Sequence, residues 1–374
     1  MQRTNPLAFD TGRFDERPER SYTLPAGWYT EPAVFEAERR EIFGRSWQFA
    51  GHVEQIAQPG DYITVHLLDQ NIFIIRGKDG VIRGFHNVCQ HRAHELLAGS
   101  GNVKVITCPY HAWSYHLDGG LRTARGSERV AGFDAGDFCL KSVQIEIFND
   151  FLFVNFVPEA VPLEAQAGDL GAEMRAHAPD LGRLTHAHRL TYELEANWKI
   201  IVDNFLECYH CPIVHPAFVE LVDMASYRVV THGIWSSHHA GPGKESNSAY
   251  DFSAGDVRIH AVWWLWPNMC FLRFPGSGNM MVLHILPVAP DRTFETYDFY
   301  FLDKALNAQQ REAIAYIDDV LQPEDIVIVE SVQRGLRSRG YDQGRFMAGD
   351  PSSGYSEHGV HHFHSLLAAA LGGA

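Results

Sequence analysis

Short apolar runs rich in β-branched and aromatic residues alternate with polar turns between residues 47 and 156. These runs include DYITVHLL, NIFIIRG, VIRGFHNV, NVKVITC and FLFVNFV, and the sequences KDG and DGG interrupt the stretch at residues 78–80 and 118–120. Runs of this kind, bounded by Gly and Asp, are typical of β-strands joined by tight turns. We therefore predict an antiparallel β domain in this part of the chain.

Elsewhere the apolar positions follow a helical period. Residues 33–43 (AVFEAERREIF) place apolar side chains near helical spacing with charges between them, which predicts an amphipathic helix. A second helix is expected from Trp198 to about Cys211. A third is expected over residues 309–321, with Pro323 in the first turn of a helix that continues it.

Residues 158–171 (PEAVPLEAQAGDLG) are rich in Pro, Ala, Gly and acidic residues and indicate a connection between two modules. Two modules are also expected from the length, because 374 residues are too many for one compact core. We predict an N-terminal segment at residues 1–44 that packs on the second domain, a β domain at residues 45–157 and a second domain at residues 158–374.

The net charge of the chain indicates which classes of partner it attracts or repels. Lys and Arg total 31 and Asp and Glu total 46, so the formal charge is 31 − 46 = −15, which repels nucleic acid and anionic membranes. A cationic substrate or a basic redox partner is attracted instead, although solubility explains the charge equally well. No apolar run is long enough to span a bilayer, and residues 1–20 lack the features of a secretory signal, so a cytoplasmic protein is expected.

Cysteine and histidine pair at two places in the β domain, as Cys89-x-His91 and Cys108-x-x-His111. Two thiolates and two imidazoles are the ligands of a Rieske [2Fe–2S] cluster, in which two His replace two Cys on one iron. A Cys2His2 zinc site uses the same residue types, but zinc fingers usually keep the two Cys together and the two His on a helix. The mixed halves in a β-rich context favour the iron–sulfur cluster.

A second histidine pair, His210 and His215, lies in NWKIIVDNFLECYHCPIVHP, where Pro212 is expected to end the helix. Two His and one carboxylate on one face of the metal are the usual protein ligands of a mononuclear non-haem Fe(II). A distant acid is therefore required, and spacing alone leaves Asp325, Glu324 and Asp318 as alternatives. The intervening Cys208 and Cys211 are interpreted as small buried residues, since no βαβ pattern supports a dithiol redox motif.

Together these motifs resemble the catalytic α-subunits of Rieske non-haem iron oxygenases. The family's first cluster motif usually reads Cys-Pro-His-Arg-Gly, where this chain has Cys89-Gln90-His91-Arg92-Ala93. The resemblance implies an α+β fold, with an antiparallel β Rieske domain and a catalytic domain in which helices cover an antiparallel sheet (helix-grip). It also implies that Asp325, in QPEDIVIVESVQRG, is the third ligand of the mononuclear iron, which uses O2 as co-substrate.

The resemblance further assigns a role to Glu207, three residues before His210. In the family an acid at this position links a cluster histidine of one subunit to an iron-ligand histidine of another. Here Glu207 would connect His111 of one chain to His210 of its neighbour, which implies a homotrimer.

The longer segments NIFIIRGKDG, HELLAGSG, VITCPYHAW and ESVQRGLRSRGYDQGR resemble the quaternary-ammonium branch of the family, which includes carnitine monooxygenase and betaine or stachydrine demethylases. The implied reaction is hydroxylation of a C–H next to nitrogen, followed by N-demethylation or C–N cleavage. No dinucleotide or flavin motif is present, so a separate NAD(P)H reductase, with or without a ferredoxin, is expected.

Aromatic faces bind methylated ammonium groups by cation–π attraction. The candidate substrate residues are Tyr209, Phe218, Trp235, Trp264 and Trp266. The alternatives are an aromatic-ring hydroxylating dioxygenase and a Rieske electron carrier. Four histidines of the C-terminal segment, residues 358–364, are expected on a surface helix that begins near Ser356.

Overall fold

The computed structural model describes residues 9–253 and 257–372, so the first eight residues of the predicted N-terminal segment lie outside it. The chain divides into two compact units, which we call the small unit (Gly44–Ala165) and the large unit (Met1–Phe43 with Gln166–Ala374). The α-helices of the described residues are α1 (Gly27–Thr30), α2 (Pro32–Ala37), α3 (Leu163–Ala167), α4 (Leu170–His177), α5 (Trp198–Phe205), α6 (Cys211–Val214), α7 (Pro216–Leu221), α8 (Ala308–Tyr316), α9 (Gln322–Leu336) and α10 (His358–Leu371). None of them has the length and apolar composition needed to cross a bilayer.

The small unit is an antiparallel β domain, as the apolar runs predicted. Its strands are β1 (Gln48–His52), β2 (Asp61–Leu67), β3 (Gln70–Arg76), β4 (Ile82–His86), β5 (Ser100–Asn102), β6 (Ile106–Thr107), β7 (Ser114–Tyr115), β8 (Leu121–Thr123), β9 (Ser142–Phe148) and β10 (Phe151–Asn155). A seven-stranded sheet has the order β1-β10-β9-β4-β3-β2-β5, and β6, β7 and β8 form a separate three-stranded sheet. One apolar cluster joins both sheets and contains Cys89 and Cys108.

The large unit is built on a second seven-stranded antiparallel sheet. Its strands are β11 (Thr185–Leu194), β12 (Arg228–His232), β13 (Trp235–Ala240), β14 (His260–Leu265), β15 (Met269–Arg273), β16 (Asn279–Ala289) and β17 (Arg292–Phe301). The strand order is β11-β17-β16-β15-β14-β13-β12. Helices α5 and α10 pack beside this sheet, and α9 packs against α5. The predicted fold class, an antiparallel β domain plus helices over an antiparallel sheet, is confirmed.

The N-terminal helix differs from its prediction in one respect. Helix α2 ends at Ala37, and the chain continues through a wider π-helical turn over Glu38–Phe43. This turn buries the Glu38 carboxylate completely, where it pairs with the Lys199 ammonium and accepts a hydrogen bond from Trp198 Nε1 at 2.8 Å. An amphipathic pattern would have left Glu38 in water, but the cation on α5 holds it in the core.

We expect the Lys199→Met variant to lose about 3–5 kcal/mol of unfolding free energy, because Glu38 is left charged, buried and without its cation. The double variant Glu38→Gln, Lys199→Met removes both charges while keeping an acceptor for Trp198, and it should recover much of that loss. Chemical denaturation of the two variants tests this. An equal loss in both would show that the packing of the Lys199 stem, and not the ion pair, stabilises the site.

The C-terminal helix is not the surface helix that its histidines suggested. Helix α10 begins two residues after Ser356, and only 5% of His361 and none of His364 is exposed. His364 Nδ1 accepts the backbone N–H of Leu24 at 3.1 Å, so its hydrogen is on Nε2, which lies 3.0 Å from Asp203 Oδ1. The surface prediction was wrong because protein groups, rather than water, satisfy these imidazoles.

Candidate metal centres

Two matching turns carry the four predicted cluster ligands in the small unit. In each turn the cysteine N–H donates to the carbonyl oxygen of the residue five positions later, at 2.8 Å. The N–H of the residue four positions later donates to the carbonyl oxygen of the cysteine, at 3.0 Å. The residues that donate back are Ala93 and Ala112, both in the left-handed region with φ of 55° and 60°. Ala93 stands where the family usually has Gly, so the turn keeps its hydrogen bonds at a conformational cost of about 1–2 kcal/mol.

The two turns present sulfur and nitrogen at different depths. Cys89 and Cys108 are 3% and 2% exposed, whereas His91 is exposed and His111 is half-buried. The two imidazole rings lie 4.7 Å apart, centroid to centroid. This donor set fits a Rieske cluster, with buried thiolates for one iron and outward imidazoles for the other.

A tyrosine contacts the sulfur of the first turn. Tyr115 Oη accepts the backbone N–H of Gln90 at 3.0 Å and lies 3.3 Å from Cys89 Sγ. Since Gln90 already donates to the oxygen, the tyrosine hydrogen is available to Sγ. Proline, which the family usually has at this position, has no N–H, so Gln90 supplies a hydrogen bond that the common motif lacks.

We expect the Tyr115→Phe variant to lower the midpoint potential of the cluster by on the order of 50 mV. A hydrogen bond to sulfur stabilises the more negative, reduced cluster, and its loss is worth about 1 kcal/mol. Redox titration followed by electron paramagnetic resonance gives the potential. Tyr62→Phe is the matched control, because the Tyr62 hydroxyl donates to Ala98 O instead. A shift of the same size in the control would contradict the assignment.

In the large unit, the second histidine pair follows α5. Asn197 caps this helix by accepting the N–H of Lys199, and the helix ends at Phe205 rather than continuing to Cys211 as predicted. The Glu207 carboxylate accepts the backbone N–H groups of Tyr209 and His210, which replaces the helical acceptors. Pro212 therefore lies in the first turn of the next helix, α6, and does not end the first.

His210, His215 and Asp325 converge, with one ligand atom from each lying within 4.8 Å of the others. Asp325 is in the first turn of α9, after Pro323, as the sequence pattern predicted. Asp325 Oδ1 lies 3.0 Å from His215 Nε2 and 3.8 Å from His210 Nε2. Both imidazoles thus direct Nε2 at the same carboxylate, and the donor set fits a 2-His-1-carboxylate iron site.

The opposite nitrogen of each imidazole is held by a second acid. Glu207 Oε1 lies 2.5 Å from His210 Nδ1, and Glu324 Oε2 lies 2.7 Å from His215 Nδ1. A carboxylate on the far nitrogen fixes the tautomer and leaves Nε2 as the metal ligand. Glu324 therefore faces away from the convergence point. Asp318, the remaining alternative, is bonded to the hydroxyl of Tyr192 at 2.6 Å.

A cavity of about 130 Å³ opens beside these three residues. Its walls combine carboxylate, imidazole and aromatic groups, contributed by Asn204, Phe205, Glu207, Cys208, His210, Cys211, His215, Phe218, Tyr227, His238, Tyr250, His260, Val262, Leu272, Leu321 and Asp325. No Lys or Arg is among the described residues that line it. The cavity thus combines two carboxylates, those of Glu207 and Asp325, with aromatic walls.

Of the five aromatic residues proposed for substrate, Phe218 lines this cavity. Tyr209 does not line it and is 54% exposed. Trp235 is three residues before the cavity-lining His238 in β13, so its side chain is on the opposite face of the sheet, where it stacks on His232. Trp264 shares the cavity face but packs under α10, against Phe363, as does Trp266. Sequence reasoning did not single out His238, His260 or Tyr250, since strand alternation does not show which face meets the iron ligands.

Cys208 and Cys211 flank His210 at the cavity wall. Both are buried, as interpreted from the sequence, but the structure joins them in a disulfide with their Cα atoms 4.9 Å apart. The remaining cysteines of the described residues are free.

Comparison with known proteins defines the class. The family profile "Rieske [2Fe-2S] domain" matches residues 46–134, and "Ring hydroxylating alpha subunit (catalytic domain)" matches residues 181–373. The chain belongs to the Rieske oxygenase α-subunit family. It is an oxidoreductase with a Rieske [2Fe–2S] cluster and a mononuclear iron that uses O2, so the predicted cofactors are confirmed.

Individual proteins similar to this chain have more specific names than the two family profiles. The carnitine monooxygenase oxygenase subunit of Escherichia coli (strain K12) is 43% identical over 358 residues, which cover 95% of each chain. The chloroplastic choline monooxygenase of Spinacia oleracea is 33% identical, covering 95% of this chain and 79% of the relative. The crystal structure of the quaternary ammonium Rieske monooxygenase CntA with L-carnitine matches with a TM-score of 0.88 and 39% identity, covering 97% of this chain and 99% of that one. Naphthalene 1,2-dioxygenase from Rhodococcus sp., at 21% identity and a TM-score of 0.80, covers 93% of this chain and 94% of its own and shares the fold.

Proposed function

We propose that this chain is the oxygenase component of an enzyme that hydroxylates a C–H next to nitrogen in a quaternary ammonium or betaine-type substrate. The product would then undergo N-demethylation or C–N cleavage. The observation that carries this proposal is the cavity beside His210, His215 and Asp325, which has aromatic walls, carboxylates and no lining Lys or Arg in the described residues. The named activities of the carnitine and choline monooxygenases support it.

The proposed roles of the side chains follow from their contacts. His210, His215 and Asp325 would hold the mononuclear iron, and Cys89, His91, Cys108 and His111 would hold the cluster. When bound, these groups supply electrons singly and activate O2. Glu207 and Glu324 hold the imidazoles with Nε2 toward the convergence point. The rings of Phe218, Tyr227 and Tyr250 would exclude water and face the ammonium group, and no Lys or Arg among the described lining residues would repel it.

The remaining roles belong to the same proposal. Residues 45–157 would act as the Rieske domain and residues 158–374 as the catalytic domain. Glu207 would also link His111 of one chain to His210 of the next within a homotrimer, and a structure of CntA has been interpreted in terms of inter-subunit electron transfer. A separate NAD(P)H reductase would supply the electrons, in the cytoplasm.

Iron analysis and oxygen uptake test the proposal. We expect about three irons per chain, two in the cluster and one mononuclear, whereas an electron carrier needs only two. With a reductase present, oxygen uptake should respond to carnitine, glycine betaine or stachydrine, with an aldehyde or formaldehyde released. Uptake with an aromatic acid and none with the three ammonium compounds would instead identify an aromatic-ring dioxygenase.

A further inference from the structure

Two buried histidines line the cavity from the sheet. His238 is in β13 and His260 is in β14, and the pairing of these strands brings both side chains to the face that carries Val262. The two histidines are 1% and 4% exposed, and both line the cavity beside the iron ligands. Their rings therefore form part of the cavity wall while almost all of their surface is buried.

Each histidine has a nitrogen that the protein leaves unused. His238 Nδ1 lies 3.1 Å from Tyr227 Oη, but among the described residues His238 Nε2 and His260 Nδ1 have no hydrogen-bond partner. A buried polar group without a partner costs about 1–3 kcal/mol. Two such atoms on side chains that line one cavity are candidates for hydrogen bonds to its occupant.

The charges of the lining residues limit which chemical groups the occupant can place beside the two histidines. Burial, helped by neighbouring imidazoles, lowers the pKa of His238 and of His260 to about 3, so both rings are neutral at physiological pH and do not repel a cation. The fully buried Lys199 and Arg273 are paired with acids elsewhere, Glu38 and Asp180. An oxygen atom on the substrate would therefore meet imidazoles here and, among the described residues that line the cavity, no Lys or Arg.

We propose that His238 and His260 form a neutral polar subsite that binds the oxygen-bearing substituent, hydroxyl or carboxylate, of the quaternary ammonium substrate. This rests on the proposed function and adds to it a specificity determinant. A neutral imidazole has one N–H donor and one acceptor, so it can donate to a carboxylate or exchange hydrogen bonds with a hydroxyl. Substrates with an oxygen substituent would gain contacts that a bare tetraalkylammonium lacks.

Anaerobic calorimetry on the holoenzyme tests the subsite with three probes: carnitine, which has a carboxylate, choline, which has only a hydroxyl, and tetramethylammonium, which has no oxygen. In the His238→Phe and His260→Phe variants we expect Kd for carnitine and choline to rise about tenfold, equivalent to ~1.4 kcal/mol, and Kd for tetramethylammonium to change less than twofold. His260→Gln restores a donor and an acceptor, so it should bind within about threefold of the parent, and it guards against misfolding of the Phe variants.

Phe218→Leu is the matched control, because it changes the same cavity without removing a polar atom. It should weaken all three probes together. A uniform loss in the histidine variants, or no loss, would overturn the subsite while leaving the proposed function intact. A parent enzyme that binds none of the three probes would overturn both.

Discussion

The Asp325→Asn variant is expected to retain about two irons per chain where the parent holds three, and to lose oxygen uptake with every substrate. Asp325 Oδ1 lies 3.0 Å from His215 Nε2 and 3.8 Å from His210 Nε2, so the amide would remove the proposed anionic ligand. The proposed cluster ligands belong to the small unit, so the cluster signal in electron paramagnetic resonance should be unchanged. Iron assay and the spectrum together locate the loss.

Glu324→Gln is the matched control, one residue away on the same helical turn. Glu324 holds His215 Nδ1 at 2.7 Å, so its loss weakens the orientation of a ligand without removing one. We expect the third iron to be retained in excess Fe(II), with affinity reduced about 10- to 100-fold. If Glu324→Gln lost the iron under these conditions and Asp325→Asn kept it, the two acids would have to exchange roles.

The proposed cluster site could be recognised from the sequence because its candidate ligands are local. Cys89 and His91 are in one tight turn and Cys108 and His111 in another, so short-range spacing alone defines each half. Asp325 is 110 residues from His215 and shares no local pattern with it, and only the resemblance to a family singled it out from Glu324 and Asp318.

The sequence alone could not show which strand residues line the cavity, because that depends on what covers each part of the sheet. The alternation of residues along β14 puts His260, Val262 and Trp264 on one face of the sheet. The structure adds that α10 covers the Trp264 end of this face and that the His260 end lines the cavity, which the alternation does not show. The aromatic residues proposed for substrate were chosen by residue type, and most of them are used for packing. Two polar residues buried in strands, His238 and His260, also line the cavity, and reasoning by residue type did not select them.

Glu207→Gln should abolish NADH-coupled turnover while both metal centres remain assembled. Glutamine keeps the size of the side chain but replaces the anionic oxygen that lies 2.5 Å from His210 Nδ1. If Glu207 acted only by orienting its imidazole, its loss would resemble that of Glu324, which holds the other histidine in the same way.

If Glu207 also connects the cluster of one chain to the iron of another, Glu207→Gln should reduce turnover by more than about 100-fold, well beyond Glu324→Gln. Single-turnover reoxidation of the reduced cluster, with substrate and O2, separates these cases. A slow reoxidation confined to Glu207→Gln supports the electron-transfer role, and equal rates in the two variants would reduce Glu207 to a positioning residue. Glu207 also accepts the backbone N–H groups of Tyr209 and His210, which Glu324 does not, so a slow reoxidation is assigned to contacts beyond the chain only where Glu207→Gln keeps its third iron.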